Sequence, residues 1–145
     1  MKFISSEYDP KWGESCVIMQ HLGKKFYGFA NLHPDDKENA SEYAGCGLAE
    51  LRATVEALKY ERKLAKNKSD EALDFVKACE GYTKFDPESE TAKAIYRQLE
   101  CRIKRVNDLT DQINDLLEQI KVYAHRRQIL INAINRKKEL SKKDK

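Results

Sequence analysis

Apolar residues recur at seven-residue spacing through the last third of the chain, and this stripe constrains the fold more than any other feature. Leu99, Val106, Ile113, Ile120 and Ile134 form one series; Leu109, Leu116, Tyr123 and Leu130 follow three residues on. These are the a and d positions of a heptad seam. β-Branched residues at a with Leu at d suit a two-stranded parallel coiled coil. At the e positions, Ile103, Leu117, Ala124 and Ile131 widen the stripe, as expected of a helix that faces more than one partner. The rest of the chain, folded as a compact globule, cannot cover so long a stripe. The expectation is therefore a second long helix, supplied by a second copy of the chain.

A helix over residues 89–140 would be about 75 Å long at 1.5 Å per residue. A first helix is expected over residues 48–80, where Leu51, Val55, Leu58, Ala65, Ala72, Val76 and Cys79 keep the helical period. Asn67-Lys68-Ser69-Asp70-Glu71 offers a cap that would start a separate segment within it. Residues 81–88 form the connection, beginning at Gly81 and closing on acidic residues that favour a helix start. So short a connection makes the two helices antiparallel neighbours.

Upstream, residues 1–32 read as an arm and a β-hairpin. Residues 1–14 carry Tyr8, Pro10, Trp12 and Gly13 without a clear period, which suggests an irregular arm or a short edge strand. Cys16-Val17-Ile18-Met19-Gln20 and the aromatic run from Lys25 to Leu32 flank a turn at Leu22-Gly23-Lys24. In the second strand, Tyr27 and Phe29 share one face and Phe26, Gly28 and Ala30 the other. One face must pack on helices; the other exposes aromatics. Residues 33–47, from His33-Pro34-Asp35-Asp36 to Gly45-Cys46-Gly47, read as a loop; its start is a capped turn leading into a short helix rather than a metal or acid–base site. Residues 141–145 are a basic tail. The expected fold is thus a single α+β domain, mostly α. A small antiparallel sheet packs on an antiparallel pair of long helices that oligomerise like a coiled coil.

Charge narrows the partners. The chain of 145 residues has a formal charge of +3, but residues 136–145 carry +4 and residues 1–135 sum to −1. Nucleic-acid binding by the body is disfavoured, leaving a DNA-associated role resting on the tail as a minor alternative. The four cysteines form no C-x-x-C pair, and His21, His33 and His125 lack the spacing of a zinc site, so free thiols and no metal are expected. No leader and no membrane-spanning run is legible, which points to the cytoplasm. Nor is there a nucleophile elbow, a phosphate-binding glycine loop or a metal-protease helix; the chain reads as non-enzymatic and without a cofactor.

Six residues stand out as candidate ligand contacts. Arg102 occupies a d position and Arg127 an a position in an otherwise apolar seam. They either fix register and snorkel outward, or grip a phosphate or carboxylate in an interface pocket. Arg105 and Arg97 would widen that surface. Arg52, near the hairpin, can pair with Glu56 one turn on or hold a ligand. In the connection, Tyr82 and Phe85 either staple the turn or stack on a base.

The segment Tyr27-Gly28-Phe29-Ala30-Asn31-Leu32-His33-Pro34-Asp35-Asp36, with Ser41-Glu42, Gly45-Cys46 and Leu48-Ala49-Glu50-Leu51-Arg52-Ala53, resembles a motif of small phage and prophage proteins, among them many counter-defence factors. A sheet followed by helices is also similar in layout to the Thoeris anti-defence sponges, oligomers that sequester cyclic ADP-ribose-type signals. That resemblance implies a pocket between sheet and helices, with aromatics on adenine and arginines on phosphates. Arg52, Tyr82, Phe85, Arg102 and Arg105 are the positions to nominate for it. The expected function is sequestration of a nucleotide immune signal at an oligomer interface in the cytoplasm of a bacterial host. The alternative is an anti-CRISPR or another protein inhibitor of a host defence enzyme.

Overall fold

The computed structural model describes residues 1–9, 11, 13–31 and 42–143; of these, the side chains of residues 42–44, 124, 127, 128, 130, 131, 134, 135 and 143 lie outside the description. Three strands, β1 (Lys2–Asp9), β2 (Glu14–His21) and β3 (Lys24–Asn31), precede two helices, α1 (Glu42–Glu80) and α2 (Glu90–Lys143). The strands form one antiparallel sheet in the order β1-β2-β3. The architecture is α+β and mostly α, as the periodicity predicted. Contacts group the chain into two compact units, residues 1–57 with 115–145, and residues 58–114.

In the first unit, a two-residue turn joins β2 to β3. Leu22 (φ 53°) and Gly23 (φ 76°) both take positive φ, the twist that a tight hairpin requires. Pairing continues without a break from His21↔Lys24 to Glu14↔Asn31. Strand alternation then sorts the side chains. Ser15, Val17 and Met19 of β2, with Phe26, Gly28 and Ala30 of β3, face inward and are buried wherever they carry a side chain. Val17, Met19 and Ala30 form a core with Leu48, Ala49 and Ala53 of α1, and Cys46, Ile120 and Tyr123 pack against it.

The contact between sheet and helix is close because the facing residues are small. A Cβ on Gly28 would lie 1.8 Å from the Ala49 carbonyl oxygen and 2.6 Å from the Ala53 nitrogen. Both obstacles are backbone, so neither can step aside. At Gly45, an added Cβ would lie 2.2 Å from Ser15 Oγ. α1 starts at Glu42 rather than at residue 48: Gly45 and Gly47, expected in a loop, are helical, and Gly45 makes room for the sheet. The reading of His33-Pro34-Asp35-Asp36 lies outside the described residues.

A second difference concerns residues 1–14, where β1 is a full eight-residue edge strand. Its period was hidden by a β-bulge. Phe3 pairs with Met19 and Ser5 with Ile18, so Ile4 is extra to the ladder and shifts the alternation by one. A short turn follows, in which the Lys11 backbone N–H donates to Asp9 Oδ1 (2.9 Å) and the Gly13 N–H to the Asp9 carbonyl (2.8 Å).

The second unit is an antiparallel helical hairpin. α1 runs through Ser69 and Asp70 unbroken; with no Gly or Pro there, the weak local cap yields to the packed face carrying Ala65, Ala72 and Val76. α1 closes where the Gly81 N–H reaches the Lys77 carbonyl (3.1 Å). α2 opens on Ser89, whose hydroxyl accepts from the Ala92 N–H (3.1 Å), an N-cap. Leu109 and Ile113 of the heptad seam are 0% and 2% exposed within a single chain. Over this stretch the seam is covered within one chain, as expected where the first helix lies alongside part of the second.

Two substitutions separate these contacts. Gly28→Ala should lower stability by about 3 kcal/mol, since it overpacks a backbone–backbone contact. Gly23→Ala, whose Cβ meets nothing within 4 Å, should cost only about 1 kcal/mol for its positive φ. Urea unfolding midpoints would check the ranking. Leu109→Ala should cost about 2–5 kcal/mol in the same assay, and Ile103→Ala, on the exposed side, little.

Candidate functional site

The six nominated residues do not gather into one site. Arg52 belongs to the first unit, as does Arg127 by its position on α2, although the Arg127 side chain lies outside the described residues. Tyr82, Phe85, Arg102 and Arg105 belong to the second.

Three of the arginines are engaged within the chain. Arg52 Nη1 donates to the Phe29 carbonyl oxygen at 2.7 Å, so the guanidinium tethers α1 to strand β3. Arg102 Nη1 donates to the Lys68 carbonyl at 2.9 Å, across the helical hairpin. Arg105 forms an ion pair and hydrogen bond with Glu61. At the seam, Arg102 thus uses its reach to satisfy a carbonyl of the facing helix, the structural reading of a polar seam residue. It also lines a small cavity of about 220 Å³ with Glu71, Phe75 and Gln98.

The aromatics of the connection divide. Phe85 packs edge-on against Tyr96, with centroids 6.4 Å apart and planes at 77°, and so staples the turn. The Tyr96 hydroxyl donates to Glu80 Oε1 (2.9 Å), and this bond to the carboxylate raises its pKa above the usual phenol range. Tyr82 is 76% exposed and projects from the connection.

Two larger features lie in the first unit, and the nominations missed both. The first surrounds Tyr123. One cavity of about 470 Å³ lies between Phe3, Ser6 and Val17 of the sheet and Cys46, Gly47, Glu50 and Tyr123 of the helices. Another, of about 540 Å³, is lined by Leu51, Asp115, Glu118, Gln119, Val122, Tyr123 and Arg126. Tyr123 contributes to both. Its place as the one aromatic in a d series of leucines was the available signal.

The second feature is the outer face of the sheet. Register places side chains there in four cross-strand rows: Asp9–Glu14–Asn31, Glu7–Cys16–Phe29, Ser5–Ile18–Tyr27 and Lys2–Gln20–Lys25. Tyr27 and Phe29 are 50% and 59% exposed, while Cys16 and Ile18 are half-buried between them and β1. The face is acidic at one end, aromatic and apolar in the middle, and basic at the other end. Around Phe29 and Cys16, the acidic end opens into a cavity of about 440 Å³ that includes Glu7, Asp9 and Glu14. Burial and the Glu7 carboxylate raise the Cys16 pKa, so its thiol is held protonated. The sequence had left open which face of β3 is exposed; the fit of Gly28 against α1 decides it.

Among the described residues, no cluster of three His, Cys, Asp or Glu side chains has the geometry of a metal site, and no helix is long and apolar enough to cross a membrane. Comparison of the chain with family models, with curated proteins and with solved structures finds no match.

Proposed function

We propose that this chain is a binding protein without catalytic activity, and that it acts by docking the outer face of its sheet onto another protein. The observation that carries this reading is the pair Tyr27 and Phe29, half or more exposed side by side on β3. Aromatic side chains presented on a rigid sheet are the residues that dominate binding energy when a partner desolvates them. The charges flanking them specify the partner. It presents an apolar centre between a basic patch, to meet Glu7, Asp9 and Glu14, and an acidic patch, to meet Lys2 and Lys25. This fits the inhibitor reading, in which a phage-type factor in the cytoplasm of a bacterial host blocks a defence enzyme by occupying its surface.

Replacing Tyr27 and Phe29 together by Ser should leave the fold intact, because neither side chain belongs to the core. The double variant should weaken binding to the partner at least about tenfold, as expected for losing one hot-spot side chain or more. The measurement is affinity capture from host extract with wild type and double variant in parallel. Direct titration of any protein retained only by the wild type follows. Equal retention of every captured protein by both forms would reject the docking face.

Sequestration of a nucleotide signal is a second reading, favoured by one observation. Phe3 and Tyr123 line the same cavity between sheet and helices, and Arg126 lies with Tyr123 in the next. Two aromatics suit a base, and an arginine suits a phosphate. Against it, Glu50, Asp115 and Glu118 line the same cavities, and Arg52, Arg102 and Arg105 are engaged within the chain. Native mass spectrometry with cyclic nucleotides and ADP-ribose cyclisation products tests it directly. This reading expects a ligand-mass gain that Tyr123→Ala abolishes; a protein that stays bare rejects it.

A further inference from the structure

The two edges of the sheet are not equivalent. Arg52 closes part of the β3 edge by donating to the Phe29 carbonyl, taking an acceptor that an added strand would need. β1 pairs with β2 on one side, and among the described residues no strand adjoins its other side. Most of its side chains are exposed, including Phe3 at 49% and Ile4 at 39%. Edge strands of this kind present a row of backbone donors and acceptors to any second strand.

The sequence of β1 is complementary to itself once the bulge is taken into account. The strand reads Lys2-Phe3-Ile4-Ser5-Ser6-Glu7-Tyr8-Asp9, and Ile4 is the bulged residue, outside the ladder. The remaining positions are Lys2, Phe3, Ser5, Ser6, Glu7, Tyr8 and Asp9. Laid antiparallel on a second copy about Ser6, they pair Lys2 with Asp9, Phe3 with Tyr8, Ser5 with Glu7, and Ser6 with itself.

Every pair in this alignment joins side chains of the same face. Lys2, Ser5, Glu7 and Asp9 lie opposite Gln20, Ile18, Cys16 and Glu14, the outer residues of β2; Phe3, Ser6 and Tyr8 lie opposite Met19, Val17 and Ser15, the inner ones. Directly opposed residues of an antiparallel pair must share a face. Without the bulge, pairing Lys2 with Asp9 would put an outer residue against an inner one. Salt-bridging ends, an aromatic pair on the inner side and no like charges opposed are the features that stabilise cross-strand pairs.

We infer that β1 is a homodimerisation edge: two copies of the chain join antiparallel through β1, about a two-fold axis at Ser6, into a continuous six-stranded sheet. The contact is isologous, so Lys2 of each copy meets Asp9 of the other. It would also join the two outer faces into one surface. It leaves the docking aromatics Tyr27 and Phe29 free, but it shares Lys2 and Asp9 with the docking face, so a dimer would present that face with these two charges already paired.

Sedimentation equilibrium of the full chain, with charge-swapped variants, tests it. The wild type should dimerise. Lys2→Glu alone and Asp9→Lys alone should each raise the dimer dissociation constant about tenfold, because each places like charges opposite at both ends of the seam. The combined Lys2→Glu, Asp9→Lys variant should return to near the wild-type value, since opposite charges again face each other. Ser6→Cys, in a Cys46→Ser background that removes the thiol lining the same cavity, should form covalent dimers on mild oxidation. Residues opposed across an antiparallel pair have the Cα separation a disulfide needs. A wild type that is monomeric up to millimolar concentration overturns the inference, as does a dimer indifferent to both single swaps or a double swap that fails to restore it. Failure of Ser6→Cys to cross-link in a confirmed dimer overturns the register.

Discussion

The close approach of β3 to α1 is the constraint on which the first unit depends. With no side chain at Gly28, the strand comes near enough to the Ala49–Ala53 turn that an added methyl group would overlap backbone. Small residues on both sides make this possible, and Ala49 and Ala53 are fully buried there. The approach also decides which side of the sheet is wet. Because Gly28 and its neighbours Phe26 and Ala30 face the helix, alternation turns Tyr27 and Phe29 outward. An exposed aromatic pair is therefore a direct consequence of a glycine that packs. Arg52, one residue before Ala53 on the same helix, reaches the Phe29 carbonyl from this contact and fastens the strand.

The helical hairpin solves a different problem. Its seam is apolar enough to need cover, and Leu109 and Ile113 are buried within one chain. Polar groups at the edge of such a seam must find partners or reach water. Arg102 finds the Lys68 carbonyl and Arg105 finds Glu61. A guanidinium beside an apolar stripe looks, in sequence, the same whether it waits for a phosphate or spans to the neighbouring helix. Here the facing helix holds it.

This ambiguity explains what the sequence could and could not convey. Element types, the hairpin at Leu22-Gly23 and the helical pair were legible, because hydrophobic period and turn chemistry are local signals. The extent of β1 was not, since one bulged residue at Ile4 breaks the alternation by which a strand is recognised. Gly45 and Gly47 suggested a loop because a glycine needed for close packing cannot be told from one needed for a bend. Site residues suffered most. Arg52, Arg102 and Arg105 were chosen by charge and position, but their hydrogen bonds run to residues 23, 34 and 44 positions away. Tyr123 was overlooked because it keeps the heptad, although that position brings it to two cavities at once.

The management of the sheet edges ties these observations together. A three-stranded sheet has two edges, and natural sheets usually blunt both with bulges, charges or covering groups. β3 is blunted by a guanidinium from the helix behind it. β1 carries a bulge, the usual device against strand addition, yet this one has a different effect. By removing Ile4 from the ladder it brings Lys2 and Asp9 onto one face and Phe3 and Tyr8 onto the other, so that the strand matches its own reverse. Other strands would meet unpaired charge at its ends; a second β1 meets complementary charge. The same irregularity that hid the strand from a reading of period thus selects which strand can join it.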